Sequence, residues 1–172
     1  MEKGLIYLLV MSICLPGCSN RLIESATPVE KDYHENCGVN VAYLILRILE
    51  KQVDLQSVAQ GLNAGDTFAQ PVSMLQIKNI LEQNHIKVFG LQADESDEFI
   101  LCAQDSFLIL HIKPDANPSD IGHYIIVTKL QDHYIMIDPP RMVTSIEKEK
   151  LKEILNTNRI NNKFLMVAKL AI

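Results

Sequence analysis

The sequence predicts an α+β fold, a block of helices followed by an antiparallel sheet, and three observations carry that prediction. Apolar residues recur at helical spacing behind capping residues between positions 38 and 83. Strand-length runs rich in branched and aromatic residues recur after position 84. The two periods follow one another instead of alternating, which is not the order of a parallel α/β fold. The 172 residues suit one domain, and 48% apolar content is enough for a real core. A net charge of −5 without a lysine or arginine cluster offers nothing to a phosphate backbone, so nucleic acid is not an expected partner.

The elements follow in order. Lys3 opens a short basic start, and residues 5–15 (LIYLLVMSICL) are an apolar run of 11. As a helix this run rises only ~16 Å against a bilayer core of ~30 Å, which fits a signal segment and not a permanent span. The following LPGC resembles a bacterial lipobox: Leu15 fills its apolar position, Pro16 the next, Gly17 precedes the cut, and Cys18 would carry the lipid. The expected organisation is therefore a lipoprotein-type signal peptide over 1–17, a polar tether over 18–32 and a folded domain over 33–172. Its expected place is outside the cytoplasm on a membrane, through the lipid at Cys18; in a Gram-negative cell this means the outer membrane or periplasm. Of four cysteines, Cys14 leaves with the signal and Cys18 is acylated, so the domain keeps Cys37 and Cys102, free or bridged.

Within the domain, residues 38–51 are apolar except at Asn40 and Arg47, so a helix there is buried on most of its circumference. Asp54 caps a second helix carrying Leu55, Val58, Ala59 and Leu62 on one face. Ser73 and Gln76 form a capping box before Met74, Ile77 and Leu81. Runs at 86–91, 107–112, 123–130, 133–138 and 164–170 predict five strands, with a helix around 146–155.

Cys37 stands where a buried helix begins, and unpaired backbone N–H groups together with the helix dipole favour a thiolate there. A thiolate nucleophile also needs a base and a group that orients it. Five histidines compete. If Gln131 and Asp132 form a two-residue turn, Leu130 opposes His133, and His123 falls on the same sheet face as Asp138, roughly 7–8 Å away along the diagonal. His133 is five residues from Asp138, an odd separation that points the two side chains to opposite faces. His111 reads as a structural mid-strand histidine, His85 as a loop residue, and His34 as a pre-helix residue that could line the site. No cysteine pair, helical histidine pair or acidic loop of metal-binding form occurs, so neither metal nor cofactor is expected.

The set NCGVNVAYLIL, GHYIIV and MIDPP resembles the bacteriocin-processing cysteine peptidases, family 39 of the papain-like group. Members carry an acidic or amide residue, Cys-Gly and an apolar helix, then a Gly/His strand start and, later, an Asp-Pro. Here Asn36, Cys37 and Gly38 match the first element, Gly122 and His123 the second, and Asp138 and Pro139 the third. The resemblance implies a papain-like fold, a peptide or protein substrate, Cys37 as nucleophile, His123 as general base and acid, and Asp138 as orienter. It also implies an oxyanion-binding glutamine six residues before the cysteine, where this chain has Lys31. Lys31, His34 and Asn36 are the candidates to replace it. The expected function is a thiol peptidase; the alternatives are an inactive peptide-binding lipoprotein and an acyl-transferring relative.

Overall fold

The helices start where their capping residues stand. In a computed structural model describing residues 36–64, 71–112, 122–139, 142–158 and 163–168, Asn36 caps α1 (Cys37–Ile48), its Oδ1 accepting from the N–H groups of Gly38 and Val39. Asp54 caps α2 (Leu55–Gly61) through the Ser57 N–H. Ser73 and Gln76 close a reciprocal capping box on α3 (Met74–Gln83), and the Gln76 amide also donates to the Leu62 carbonyl, tying α3 to the end of α2. A cap contributes about 1 kcal/mol. Val39, Val41, Leu44, Ile45 and Leu46 of α1 are all buried, and at roughly 1.5–3 kcal/mol per large apolar side chain their burial outweighs the cap. The cap therefore decides where α1 begins, and packing decides that it exists.

The rest of the chain forms β1 (Val88–Gln92), α4 (Ser96–Cys102), β2 (Ser106–Ile112), β3 (His123–Leu130), β4 (His133–Asp138), β5 (Met142–Ile146), α5 (Lys148–Asn158) and β6 (Lys163–Ala168). The six strands pair antiparallel in the order β1-β6-β2-β3-β4-β5. Side chains alternate between two cores. Phe107, Ile109, Tyr124, Ile126, Ile135 and Ile137 face α1, α2 and α3. Leu108, Leu110, Ile125, Val127 and Tyr134 face Phe99 and Ile100 of α4 and Leu151 and Leu155 of α5.

Two expectations need correction. The helix expected around 146–155 begins at Lys148, and the residues before it form a sixth strand, β5, that the sequence reading omitted. Residues 96–102 form α4, also omitted; its Phe99 packs on Phe164 of β6 with ring centroids 4.7 Å apart. The two polar residues of α1 differ: Asn40 is buried, whereas Arg47 is exposed with its guanidinium 6.0 Å from the centre of the Tyr43 ring. The expected signal peptide, the tether, Cys18, Lys31 and His34 lie outside the described residues. Among the described residues no helix is long and apolar enough to cross a membrane.

Candidate active site

Three elements meet at one end of the sheet: the start of α1, the first residue of β3 and the last residue of β4. The β3–β4 hairpin has the register expected of a two-residue turn, with Leu130 opposite His133 and Ile126 opposite Ile137. Gln131 takes a φ of 55°, the left-handed conformation such a turn requires. His123 and Asp138 accordingly share a face, and His123 Nε2 is hydrogen-bonded to Asp138 Oδ1. Gly122, with a φ of 90°, supplies a backbone conformation disfavoured for other residues immediately before His123.

Strand alternation alone groups His123 with Ile125 and Val127, which pack away from α1. Its place at the very start of β3 lets the imidazole reach Cys37 nonetheless. With Nε2 engaged by Asp138, Nδ1 is the nitrogen left for the sulfur. Burial pushes the Cys37 thiol up, but the His123 side chain, the Tyr124 backbone N–H, the charge on His123 and the Gly38 backbone N–H outweigh it, and the net effect is a lowered pKa. His123 is pushed up to about 9, by its hydrogen bond to Asp138 first and by Cys37 second, against the opposing effect of burial. Each half of the pair thus favours the charged form of the other, a thiolate beside an imidazolium.

Gly38 has no room for a side chain: a Cβ there would lie 2.7 Å from Val72 Cβ and 3.4 Å from Asn36 Oδ1. Val72, just before α3, therefore closes directly over the residue after the nucleophile. Tyr124 is a residue that sequence reasoning missed. Its backbone N–H supports the sulfur, and its hydroxyl accepts from the Met74 N–H. Its ring stacks on His111 at 4.5 Å. The phenol is pushed up to about 12, by burial first and then by the negative charge on Cys37. The available signal was its position: it follows His123 and, by alternation, faces α1.

Of the other sequence candidates among the described residues, only Asn36 adjoins this array. Asn36 stands beside Cys37, with its side-chain oxygen turned onto the helix N-terminus. His133 lies 3.8 Å from Glu147, and His85 sits in the turn after α3. Cys102 is free, as is Cys37, and packs against the opposite core. Among the described residues no three His, Cys, Asp or Glu side chains cluster as metal ligands.

The model of the peptidase C39 family matches residues 26–160, a span that contains the whole array. Among solved structures, a double-glycine-motif protease from an AMS/PCAT transporter, in complex with the leader peptide, is similar at a TM-score of 0.58 and 12% identity, covering 82% of this chain and 90% of its own. The peptidase domain of Streptococcus ComA, a bi-functional ABC transporter involved in a quorum-sensing pathway, is similar at 0.56 and 15% identity, covering 83% and 96%. At such identities these likenesses establish the fold. No curated protein matches the chain significantly.

Proposed function

The chain belongs to the peptidase C39 family, the bacteriocin-processing, double-glycine cysteine peptidases of papain-like fold, and from that premise we propose that it is a lipid-anchored, extracytoplasmic thiol peptidase. Cys37 is its nucleophile, His123 its acid and base, and Asp138 the residue that orients the imidazole. The observation that carries this reading is the hydrogen-bonded run from the Cys37 sulfur through His123 to Asp138 at the start of a buried helix. The thiolate attacks a peptide carbonyl carbon, forming a C–S bond and an oxyanion. The His123 imidazolium gives its proton to the leaving nitrogen as the C–N bond breaks, leaving a thioester. A water that gives its proton to His123 Nδ1 then attacks the thioester, the C–S bond breaks and the thiolate returns.

The Cys37 backbone N–H is one donor for the oxyanion. Lys31, His34 and Asn36 are the side-chain candidates for the second, in place of the usual glutamine. Loss of one such donor costs about 10²–10³-fold in turnover, so their identity governs rate more than specificity. The substrate class that fits the family is a peptide with a glycine pair before the cut. The LPGC pattern ending at Cys18 supports the anchor.

The test is hydrolysis of a glycine-pair peptide library followed by mass spectrometry. Wild type cleaves at defined bonds and Cys37→Ala does not. Identical product patterns from both, or peptide binding by wild type without any cleavage, reject the peptidase reading, and the latter favours the peptide-binding alternative. For the anchor, fatty-acid labelling of expressed wild type disappears in Cys18→Ser; persistent labelling rejects it.

A further inference from the structure

We propose that Asn36 is a positioning residue that tunes the nucleophile, because its cap and the Cys37 sulfur share one backbone donor. The inference rests on reading Cys37 as the nucleophile. Asn36 Oδ1 accepts from the Gly38 N–H at 3.1 Å and from the Val39 N–H at 3.2 Å. The same Gly38 N–H supports the Cys37 sulfur. Two acceptors on one donor stand side by side, and the bare Cα of Gly38 allows that approach while Val72 closes over it. A neutral amide oxygen draws on the shared N–H only in part. A carboxylate in its place draws on it more strongly and sets a like charge beside the thiolate, which disfavours ionisation.

The charged and titratable groups already facing Cys37 are His123 and Tyr124 from β3, with Asp138 of β4 behind His123. From the α3 side, the segment that closes over the site brings Val72 and Met74, neither of which titrates. The imidazolium is thus the sole cation in the described array, and its charge serves the thiolate and Asp138. Position 36 is the place where one added negative charge would act directly on the sulfur. Asparagine and aspartate cap helices almost equally well, so exchanging them separates the charge at this position from the cap itself.

The experiment follows iodoacetamide alkylation of Cys37 against pH in the full-length chain, by mass spectrometry of the Cys37 peptide, with the thermal midpoint as a measure of folding. Asn36→Asp is expected to keep the wild-type thermal midpoint and to raise the alkylation midpoint by about one pH unit, slowing alkylation about tenfold below it. Asn36→Ala is expected to show the reverse, a lower thermal midpoint with a smaller change in the alkylation profile. If Asn36→Asp does not fold, Asn36→Glu carries the same charge and the same expected direction. A folded acidic variant with an unshifted profile overturns the inference. A wild-type Cys37 that alkylates like a model thiol overturns instead the nucleophile reading beneath it.

Discussion

The two cysteines among the described residues are both partly buried, on opposite faces of one sheet, and their chemistry diverges. Cys37 opens α1, where helix N–H groups, the Tyr124 N–H and the His123 imidazole all favour a thiolate. Cys102 ends α4, where burial, and then the Glu98 carboxylate, push its thiol up. Opposite helix ends present opposite partial charges, which favour the thiolate at the start of α1 and the neutral thiol at the end of α4. Burial disfavours the thiolate at both positions, so the neighbours decide. A free, half-buried cysteine is by that measure uninformative until its hydrogen-bond partners are known.

The most severe way to break the comparison is to remove each sulfur in turn. Cys37→Ala is expected to lower peptide turnover by about 10³-fold or more, whereas Cys102→Ala leaves it within about twofold. Steady-state assays on matched protein check both. A comparable loss in Cys102→Ala would mean that the two faces are not chemically distinct.

The next largest effect belongs to Asp138. Asp138→Asn is expected to cost about 10²–10⁴-fold in turnover, since the imidazole loses its orienting partner. It also moves the pH profile. His123 is held up at about 9 chiefly by Asp138, so in wild type the imidazolium survives to that pH and the alkaline limb falls there. Without the carboxylate the proton leaves at lower pH, and the alkaline limb shifts toward the ordinary histidine range near 6.5. A limb that stays near 9 in the variant would show that Asp138 is not its cause.

The smallest effect on chemistry comes from damage to the far core. Phe99, buried against Phe164 beneath α4, leaves a cavity when replaced by alanine that costs roughly 3–5 kcal/mol of folding stability. Denaturant melts should register that loss while the pH dependence of Cys37 alkylation stays at its wild-type position. A shifted profile would indicate that the two cores are coupled across the sheet.

The hairpin was the most legible part of the site. The two-residue turn at Gln131 and Asp132 determines the register, and register puts His123 and Asp138 on one face, so an alternation argument sufficed. The caps at Asn36, Asp54 and Ser73 were legible because the side-chain oxygen acts within three residues of itself. The approach of His123 to Cys37 was not derivable from spacing, because alternation points His123 toward the opposite core and only the end of the sheet lets the ring reach α1. The family resemblance supplied that pairing. Tyr124 and Val72 were hidden for a similar reason: their contacts with the nucleophile's surroundings run through backbone groups and a glycine that leaves no space. The strand at Met142–Ile146 was obscured by its shortness and by the helix that follows at once. The helix at Ser96–Cys102 has no side-chain cap, so the usual marker of a helix start was missing.

The measurement that bears most directly on the account is competitive alkylation of both cysteines in one sample of native protein. With iodoacetamide at pH 7 and mass spectrometry of the two peptides, Cys37 should be consumed at least about tenfold faster than Cys102, whose thiol burial and the Glu98 carboxylate push up. Unfolding the protein should erase the difference. Equal rates in the native state, or faster reaction at Cys102, would contradict an activated Cys37.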